Sequence, residues 1–324
     1  MNEKKIIVTV IALCYNHEKY VLESLQSVVN QGYGNVELIV VDDFSIDKSR
    51  EKILQFVENN ANTRIIFNEK NIGNCRSFNQ ALKIAQGKYI IDLSTDDIML
   101  PNRISEQVKV FEKSAKVGLV FSDCEYIDEQ SRKIEHSTFN DFRKKKNEFP
   151  VGNVYAQLLA KKLYINPPTM MVRKTIFDQL GGYDETLTYE DFDFWLRASR
   201  ICKFDYLPEI LMQQRMLSGS HSTKFIQKKN SLTPSVFRVC QKAFLFNETE
   251  EENLALIIRL KSLMRQCFFT EHFEVGKEVL KMLKQLKAEN WEIKLYTILI
   301  FSKLPINFLY LKYNAFRKYL YFRL

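Results

Sequence analysis

Residues 8–43 read VTVIALCYNHEKYVLESLQSVVNQGYGNVELIVVDD, and this stretch decides the fold. VTVIAL (8–13) and ELIVVD (37–42) are short, continuous, β-branched runs. Strands buried on both faces have this composition because neither side meets water. Between them Val21, Leu22, Leu25, Val28 and Val29 recur at helical spacing, which predicts one apolar helix face. The alternation continues outward. A helix is expected around Ile53–Val57, a strand at RIIF (64–67) and a helix carrying Phe78, Ala81, Leu82 and Ala85. A strand at KYIID (88–92), a helix after Pro101 and a strand at VGLVFSD (117–123) follow. Strand and helix in turn imply an α/β fold, with a mainly parallel sheet and right-handed crossovers. Ligands of such open sheets bind outside the carboxyl ends of the strands.

At 324 residues, 46% hydrophobic and 27% charged, the chain is neither disordered nor fibrous, and ten glycines and seven prolines exclude a collagen-like or low-complexity reading. The formal charge of +8 suggests an acidic partner. Its distribution is uneven: residues 1–223 hold 29 Lys/Arg against 30 Asp/Glu, and residues 224–324 hold 18 against 9. Residues 225–324 also read as helices only, with 3.6-residue periods over Leu254–Phe269 and Phe273–Leu286. Two domains are therefore expected, an α/β domain over 1–223 and a helical, basic domain over 224–324. A Lys-rich polar loop is expected at 143–148.

The six cysteines are scattered, with no C-x-x-C pair and no clustered histidines, so they read as buried thiols rather than zinc ligands or a disulfide framework. MNEKKIIVTV has no apolar run followed by a cleavage site, so a cytoplasmic protein is expected. The longest apolar stretch, Ile293 to Leu311, is broken by Lys294, Lys303 and Pro305, which argues against a spanning helix.

Three carboxylate clusters fall where the strand-end rule puts a site. Asp42 and Asp43 close the second strand, Asp96 and Asp97 follow the fourth, and Glu190, Asp191 and Asp193 open a helix in LTYEDFDFWLRAS. Any one of them has an ordinary explanation as a helix cap or loop residue. Adjacent carboxylates, however, concentrate charge that a divalent cation relieves, and magnesium or manganese so bound completes its shell with water and substrate phosphates. The implied ligand is a nucleoside diphosphate. No G-x-x-x-x-G-K-[ST] and no G-x-G-x-x-G after the first strand is present, so neither a P-loop enzyme nor a dehydrogenase-type dinucleotide fold is supported. Tyr15, just past the first strand, could stack on a base or simply pack.

Four segments in order, VTVIALCYNHEKYVLESLQSVVNQ, VELIVVDDFSID, NIGNCRSFNQALKIAQGKYIIDLSTDDIMLPNRI and GGYDETLTYEDFDFWLRAS, resemble the inverting GT-A glycosyltransferases of family 2. The resemblance covers roughly residues 5–222, about two thirds of the chain. It implies a GT-A fold with a mixed, mainly parallel sheet followed by a helical carboxyl-terminal region, and a nucleotide-sugar donor, usually a UDP-sugar, with Mg²⁺ or Mn²⁺ as cofactor. By position it places Tyr15 and Asp43 at the base, with Asp42 supporting their loop. Asp97 becomes the likelier metal ligand and Asp96 lies nearer the ribose or donor sugar. Asp191 falls on the catalytic base, with Glu190 beside it, and Asn79 falls on an Asn common in the family and is expected among the donor-binding residues. Arg215 and His221, in QRMLSGSHST (214–223), fall where relatives close a loop over the diphosphate, and Asn166–Thr169 where the acceptor side is shaped.

The sequence also departs from the family pattern. The first carboxylate of the usual L-D-x-D-D is Ser94, the usual Arg before Asn79 is Phe78, leaving Arg76 as a substitute for phosphate contact, and the usual Thr or Ser near the base is Leu13. His17, His136 and His272 read as surface or packing residues.

Residues 303–324 carry five Lys/Arg, seven Phe/Tyr and no acid. An aromatic, basic helix of this kind suits an anionic membrane surface or packs as an ordinary bundle helix. The resulting expectation is an enzyme of surface polysaccharide synthesis, with a glycan or lipid-linked acceptor, peripheral at the inner face of the cell membrane, and with oligomers possible. A GT-A nucleotidyltransferase and a basic nucleic-acid-binding protein are the alternatives. The first lacks its Gly-rich basic loop, and in the second the paired carboxylates would repel the ligand.

Overall fold

A computed structural model describes residues 7–134, 150–217 and 221–321, and for 221–223 and 317–321 the backbone only. The loop expected at 143–148, His136 and residues 218–220 of the expected closing loop lie outside the described residues. Two compact units are present. The first comprises Met1–Val154, Tyr164–Glu185 and Arg197–Leu217, and the second Tyr155–Leu163, Thr186–Leu196 and Ser218–Leu324. Residues 155–163 and 186–196, expected in the amino-terminal domain, thus group with the helical third.

The first unit is built on one sheet. Its strands are β1 (Val8–Cys14), β2 (Val36–Asp42), β3 (Arg64–Phe67), β4 (Tyr89–Ser94), β5 (Ile98–Met99), β6 (Val117–Ile127), β7 (Lys133–Ile134), β8 (Met171–Arg173) and β9 (Lys203–Arg215). Their order is β3-β2-β1-β4-β8-β6-β9-β5, with β7 paired to β6. β3, β2, β1 and β4 are mutually parallel. β8 is antiparallel to both β4 and β6, whereas β9 runs parallel to β6. This is the mainly parallel α/β architecture that the β-branched runs imply. The antiparallel additions make the sheet mixed, as the resemblance implies, but β5, β7 and β8 were not placed individually because at two or three residues each they are too short to show a period.

All seven residues of β1 are buried, because the helices Val21–Val29 and Asn74–Leu82 pack against it. Val10, Val40 and Ile91 pack with Leu25 and Val28 of the helix Val21–Val29 and with Ile53 of the helix Ser49–Glu58. The chain moves from β1 through β2 to β3 on one side, then returns to place β4 on the other. The strand order therefore reverses between β1 and β4, and a ligand crevice is expected at their carboxyl ends, where Leu13 pairs with Ser94.

In the second unit the helix Glu250–Phe269 packs against Tyr155–Leu159, Leu232–Phe246 and Phe273–Gln285. It starts at a capping box in which the Thr249 hydroxyl accepts from Glu252 N–H and the Glu252 carboxylate returns to the Thr249 backbone. Leu256, Leu260, Leu263 and Cys267 fill its core. Ile293–Leu311 falls on two helices, Trp291–Ser302 and Asn307–Tyr321, parted at Lys303 with φ +51°. Among the described residues no helix is long and apolar enough to cross a membrane. All six cysteines are free, and burial pushes the Cys124, Cys202, Cys240 and Cys267 thiols up to about 12, which leaves none of these as a thiolate nucleophile at neutral pH.

Candidate active site

The loops that leave β1 and β2 are laced together. Asn16 N–H donates to Ser45 Oγ at 2.8 Å, Ile46 N–H returns to Asn16 Oδ1 at 2.9 Å, and His17 N–H donates to Ser49 Oγ at 2.9 Å. Two further bonds tie the loops, Glu18 N–H to Asp47 Oδ2 and Lys48 N–H to Glu18 Oε2. Short polar side chains thus satisfy backbone groups that neither sheet nor helix reaches. Tyr15 stands on this frame, 46% exposed, with its ring available for stacking.

Asp42 and Asp43 are adjacent but do different work. Asp42 is fully buried; its Oδ1 accepts from Arg50 Nε and from Ser45 N–H, so it supports the second loop as expected. Asp43 Oδ1 accepts from Asn68 Nδ2 at 2.9 Å and Ile72 N–H at 2.8 Å, and Oδ2 from Gly73 N–H at 2.8 Å. Gly73 has φ +87°, a conformation open to glycine, and this turns its N–H onto the carboxylate. Asp43 therefore organises the segment from β3 into the helix Asn74–Leu82. Asn68, which sequence reading missed, bridges Asp43 to Ser77 Oγ at 2.9 Å. Its position directly after a strand was the available signal.

At the end of β4, Thr95 N–H donates to Leu13 O and Asp97 N–H to Ser94 O, a tight turn that presents two carboxylates beside β1. Ser94, which replaces the first family carboxylate, donates its hydroxyl to Asp96 Oδ1. His17 belongs here too: its Nδ1 is 2.9 Å from Thr95 Oγ1 and 4.0 Å from Asp96 Oδ1. His17 is therefore a partly exposed residue packed across from the β4 turn. Asp97 is 3% exposed and accepts Arg215 N–H at 2.8 Å. Burial, then the neighbouring Asp96 charge, push its carboxyl well above the usual range, against the Arg215 N–H and the Arg215 and Arg103 charges. Arg103 is fully buried, and burial lowers it to about 9, so it remains a cation at neutral pH.

Among the described residues no group of three or more His, Cys, Asp or Glu is arranged to hold a metal ion. The two carboxylates still suit magnesium or manganese, which needs one or two from the protein and takes the remainder of its shell from water and phosphate. Their mutual repulsion is the condition that a cation removes.

Two expected donor contacts are corrected. Arg215 is 3% exposed, and its guanidinium donates to Asp96 O, Asp128 O, Ser131 Oγ and Glu23 Oε2 while lying 4.5 Å over the Tyr20 ring. It clamps the β6–β7 hairpin and is turned away from solvent, so it does not reach a diphosphate. Asn79 donates to Tyr183 O at 2.9 Å and accepts Tyr183 N–H at 2.9 Å. Its amide staples the segment after Gly182 (φ +80°), where an added Cβ would lie 2.4 Å from Asn79 Oδ1. Asn79 is a structural residue here. Arg76 is 58% exposed and pairs with Glu185 at 3.3 Å, a surface contact weak enough to yield to an anion. Asn166 and Thr169 are buried, and the side chain of His221 lies outside the described residues.

The third carboxylate cluster lies in the second unit, in the first turn of the helix Glu190–Ile201, where acidic groups complement the helix dipole. Asp193 is 2% exposed and bound to Lys242 Nζ at 2.8 Å, which gives it a structural role. Asp191 is half-buried and Glu190 is 9% exposed. The helical third holds this turn from beneath. Ser235 Oγ accepts both Thr188 N–H (3.1 Å) and Tyr189 N–H (3.0 Å), and Arg238 donates to Thr186 O. Arg259 lies 4.1 Å over the Phe192 ring and donates to Leu158 O and Leu159 O. Ser235, Lys242 and Arg259 escaped sequence reading because contacts spanning about 50 residues or more leave no local pattern.

The sequence model described as Glycosyl transferase family 2 matches residues 9–181, more than half of the chain. The chain belongs to that family. It is a transferase enzyme, and this displaces the nucleic-acid reading and the nucleotidyltransferase reading. An uncharacterized glycosyltransferase of Methanocaldococcus jannaschii is 33% identical over 229 residues, 69% of this family 2 chain and 76% of the relative. An Escherichia coli protein named UDP-Glc:alpha-D-GlcNAc-diphosphoundecaprenol beta-1,3-glucosyltransferase WfgD is 34% identical over 125 residues, 39% of this chain and 48% of that one. The solved structure of S. aureus TarS 1-349 with UDP-GlcNAc superposes with a TM-score of 0.64 at 17% identity, covering 92% of this chain and 91% of that one. That likeness establishes the GT-A fold.

Proposed function

We propose that this family 2 enzyme moves a sugar from a nucleoside diphosphate, with uridine as the base, to a hydroxyl of a glycan or lipid-linked acceptor in surface polysaccharide assembly. The observation that carries the reading is the Asp96–Asp97 turn at the switch point between β1 and β4, beside the loops of Tyr15 and Asp43. The WfgD name, with its UDP-glucose donor and diphosphoundecaprenol acceptor, supports the donor base and the acceptor class. A cytoplasmic enzyme peripheral to the membrane follows from such an acceptor.

Glycosyl transfer breaks the bond between the anomeric carbon and the diphosphate, and negative charge grows on the leaving group. Tyr15 stacks on the base, and the Asp43 loop borders it. Asp97 and Asp96 would hold Mg²⁺ or Mn²⁺, which supplies positive charge to the leaving diphosphate. Arg76 leaves Glu185 to meet a phosphate oxygen, and His17 steadies Thr95 and Asp96. Asp191 takes the proton of the acceptor hydroxyl, with Glu190 beside it. A single in-line displacement inverts the anomeric centre.

Thermal unfolding with UDP, GDP or dTDP, each with and without Mn²⁺, tests the donor half. UDP with Mn²⁺ at about a hundredfold excess over Kd is expected to raise Tm by roughly 5 °C, with smaller shifts for the others or without metal. Equal shifts for all three nucleotides would remove uridine from the reading, and no shift with any would remove the site.

The bracing of residues 188–189 gives a further prediction. Ser235→Ala leaves two amide groups without their acceptor, so kcat is expected to fall about tenfold as Asp191 loses its placement, with the donor Kd unchanged. Ser235→Thr is expected to recover most of the loss. Steady-state kinetics with donor titration measures both, and a proportional loss of donor affinity would contradict the bracing role.

A further inference from the structure

Two helices of the second unit turn apolar residues to solvent. In Trp291–Ser302 the inward side is Tyr296, edge-on to Phe268 at 5.9 Å and Phe269 at 6.5 Å, together with buried Ile300. At 100° per residue the opposite side holds Trp291, Ile298 and Phe301, which are 76%, 69% and 61% exposed. In Asn307–Tyr321 the inward side is Tyr310, stacked on Phe269 at 4.8 Å, and Asn307, bonded to Ile226 O and Phe269 O. Phe308, 58% exposed, faces away with Lys312 beside it, 5.9 Å over its ring.

We infer that the outward faces of these two helices form a docking surface for an anionic lipid bilayer. Both helices pack onto Phe269, so the aromatic residues they show to water are surplus to the core of the unit. Lys294 is exposed on the Trp291 face, and the acid of that helix, Glu292, is turned to Arg265 at 2.7 Å. Residues 291–324 hold six Lys/Arg against that one acid. Aromatic and branched apolar side chains among lysines match the boundary between acyl chains and acidic headgroups. A second copy of the chain matches it less well, because a two-fold contact would set Lys294 and Lys312 of each copy against the same positive surface. The surface extends the membrane expectation beyond 303–324, and its core is the preceding helix.

The chain has two tryptophans, and Trp195 is 3% exposed, so an environment-dependent change in emission reports on Trp291. The full-length protein is mixed with vesicles of phosphatidylcholine alone or with added phosphatidylglycerol. A blue shift and co-flotation are expected with the anionic vesicles and are weakened by salt. Ile298→Ser with Phe301→Ser should reduce partitioning at least tenfold, and Lys294→Glu with Lys312→Glu by a similar factor, at about fivefold per lysine. All four residues are exposed, so unchanged circular dichroism and unchanged transfer to a soluble acceptor mark folded variants. Equal partitioning of wild type and both variants overturns the proposal. So does a dimer in solution that the Ile298→Ser/Phe301→Ser variant dissolves while vesicles bind neither form. The readouts are independent of nucleotide binding, so failure of the donor-site reading leaves this test intact.

Discussion

Asp191→Asn is expected to lower kcat by on the order of 10²-fold or more, with donor affinity held within about a factor of two. Asparagine keeps the shape and still accepts a hydrogen bond in the first helical turn, but it takes no proton from the acceptor hydroxyl. The fold should persist, since Ser235 and Lys242 brace this turn through the backbone and Asp193. Glu190→Gln is the companion measurement. If Glu190→Gln abolishes turnover and Asp191→Asn does not, the base is Glu190; if neither alters turnover, the cluster has no catalytic role. The pre-steady-state form of the assay, with donor already bound, isolates the chemical step from nucleotide release.

Asp97→Asn is expected to reduce kcat/KM by about 10²- to 10³-fold, the range for loss of one preorganised electrostatic partner of a leaving group. The same substitution should leave Tm unchanged or higher in metal-free buffer. Asp97 is buried beside Asp96, and both features penalise its charge in the folded state; the amide removes that penalty while still accepting Arg215 N–H. Activity and stability moving in opposite directions is the signature of a group kept for function at the expense of the fold. Parallel losses of both would instead mark Asp97 as a structural carboxylate.

The parallel half of the sheet was legible because each of its strands holds a run of three or more apolar residues and each connecting helix shows a face. Leu13 and Leu93 lie buried in strands whose two faces are both covered, and a continuous run is the trace that such cover leaves. β8 escaped notice because three residues, Met171–Arg173, carry no period. The carboxylate pairs were legible as types at strand ends, but their partners were not. Asp42 and Asp43 are consecutive, yet one meets Arg50 and the other Asn68 and two amides. Arg215 looked like a phosphate ligand because the resemblance puts it where relatives close a loop over the diphosphate. Its four acceptors come from residues 84 to 192 positions away, a distance over which sequence carries no trace of contact.

The brace beneath residues 188–193 also bears on the order in which the enzyme becomes competent. On the ribosome Asp191 emerges before Ser235, Lys242 and Arg259, so the turn that carries it meets its supports only after 44, 51 and 68 further residues have been made. The sheet with Asp43, Asp96 and Asp97 requires no residue beyond Arg215. A nascent chain would thus be able to capture nucleotide sugar before it could transfer one, which delays turnover until the helical brace has been made.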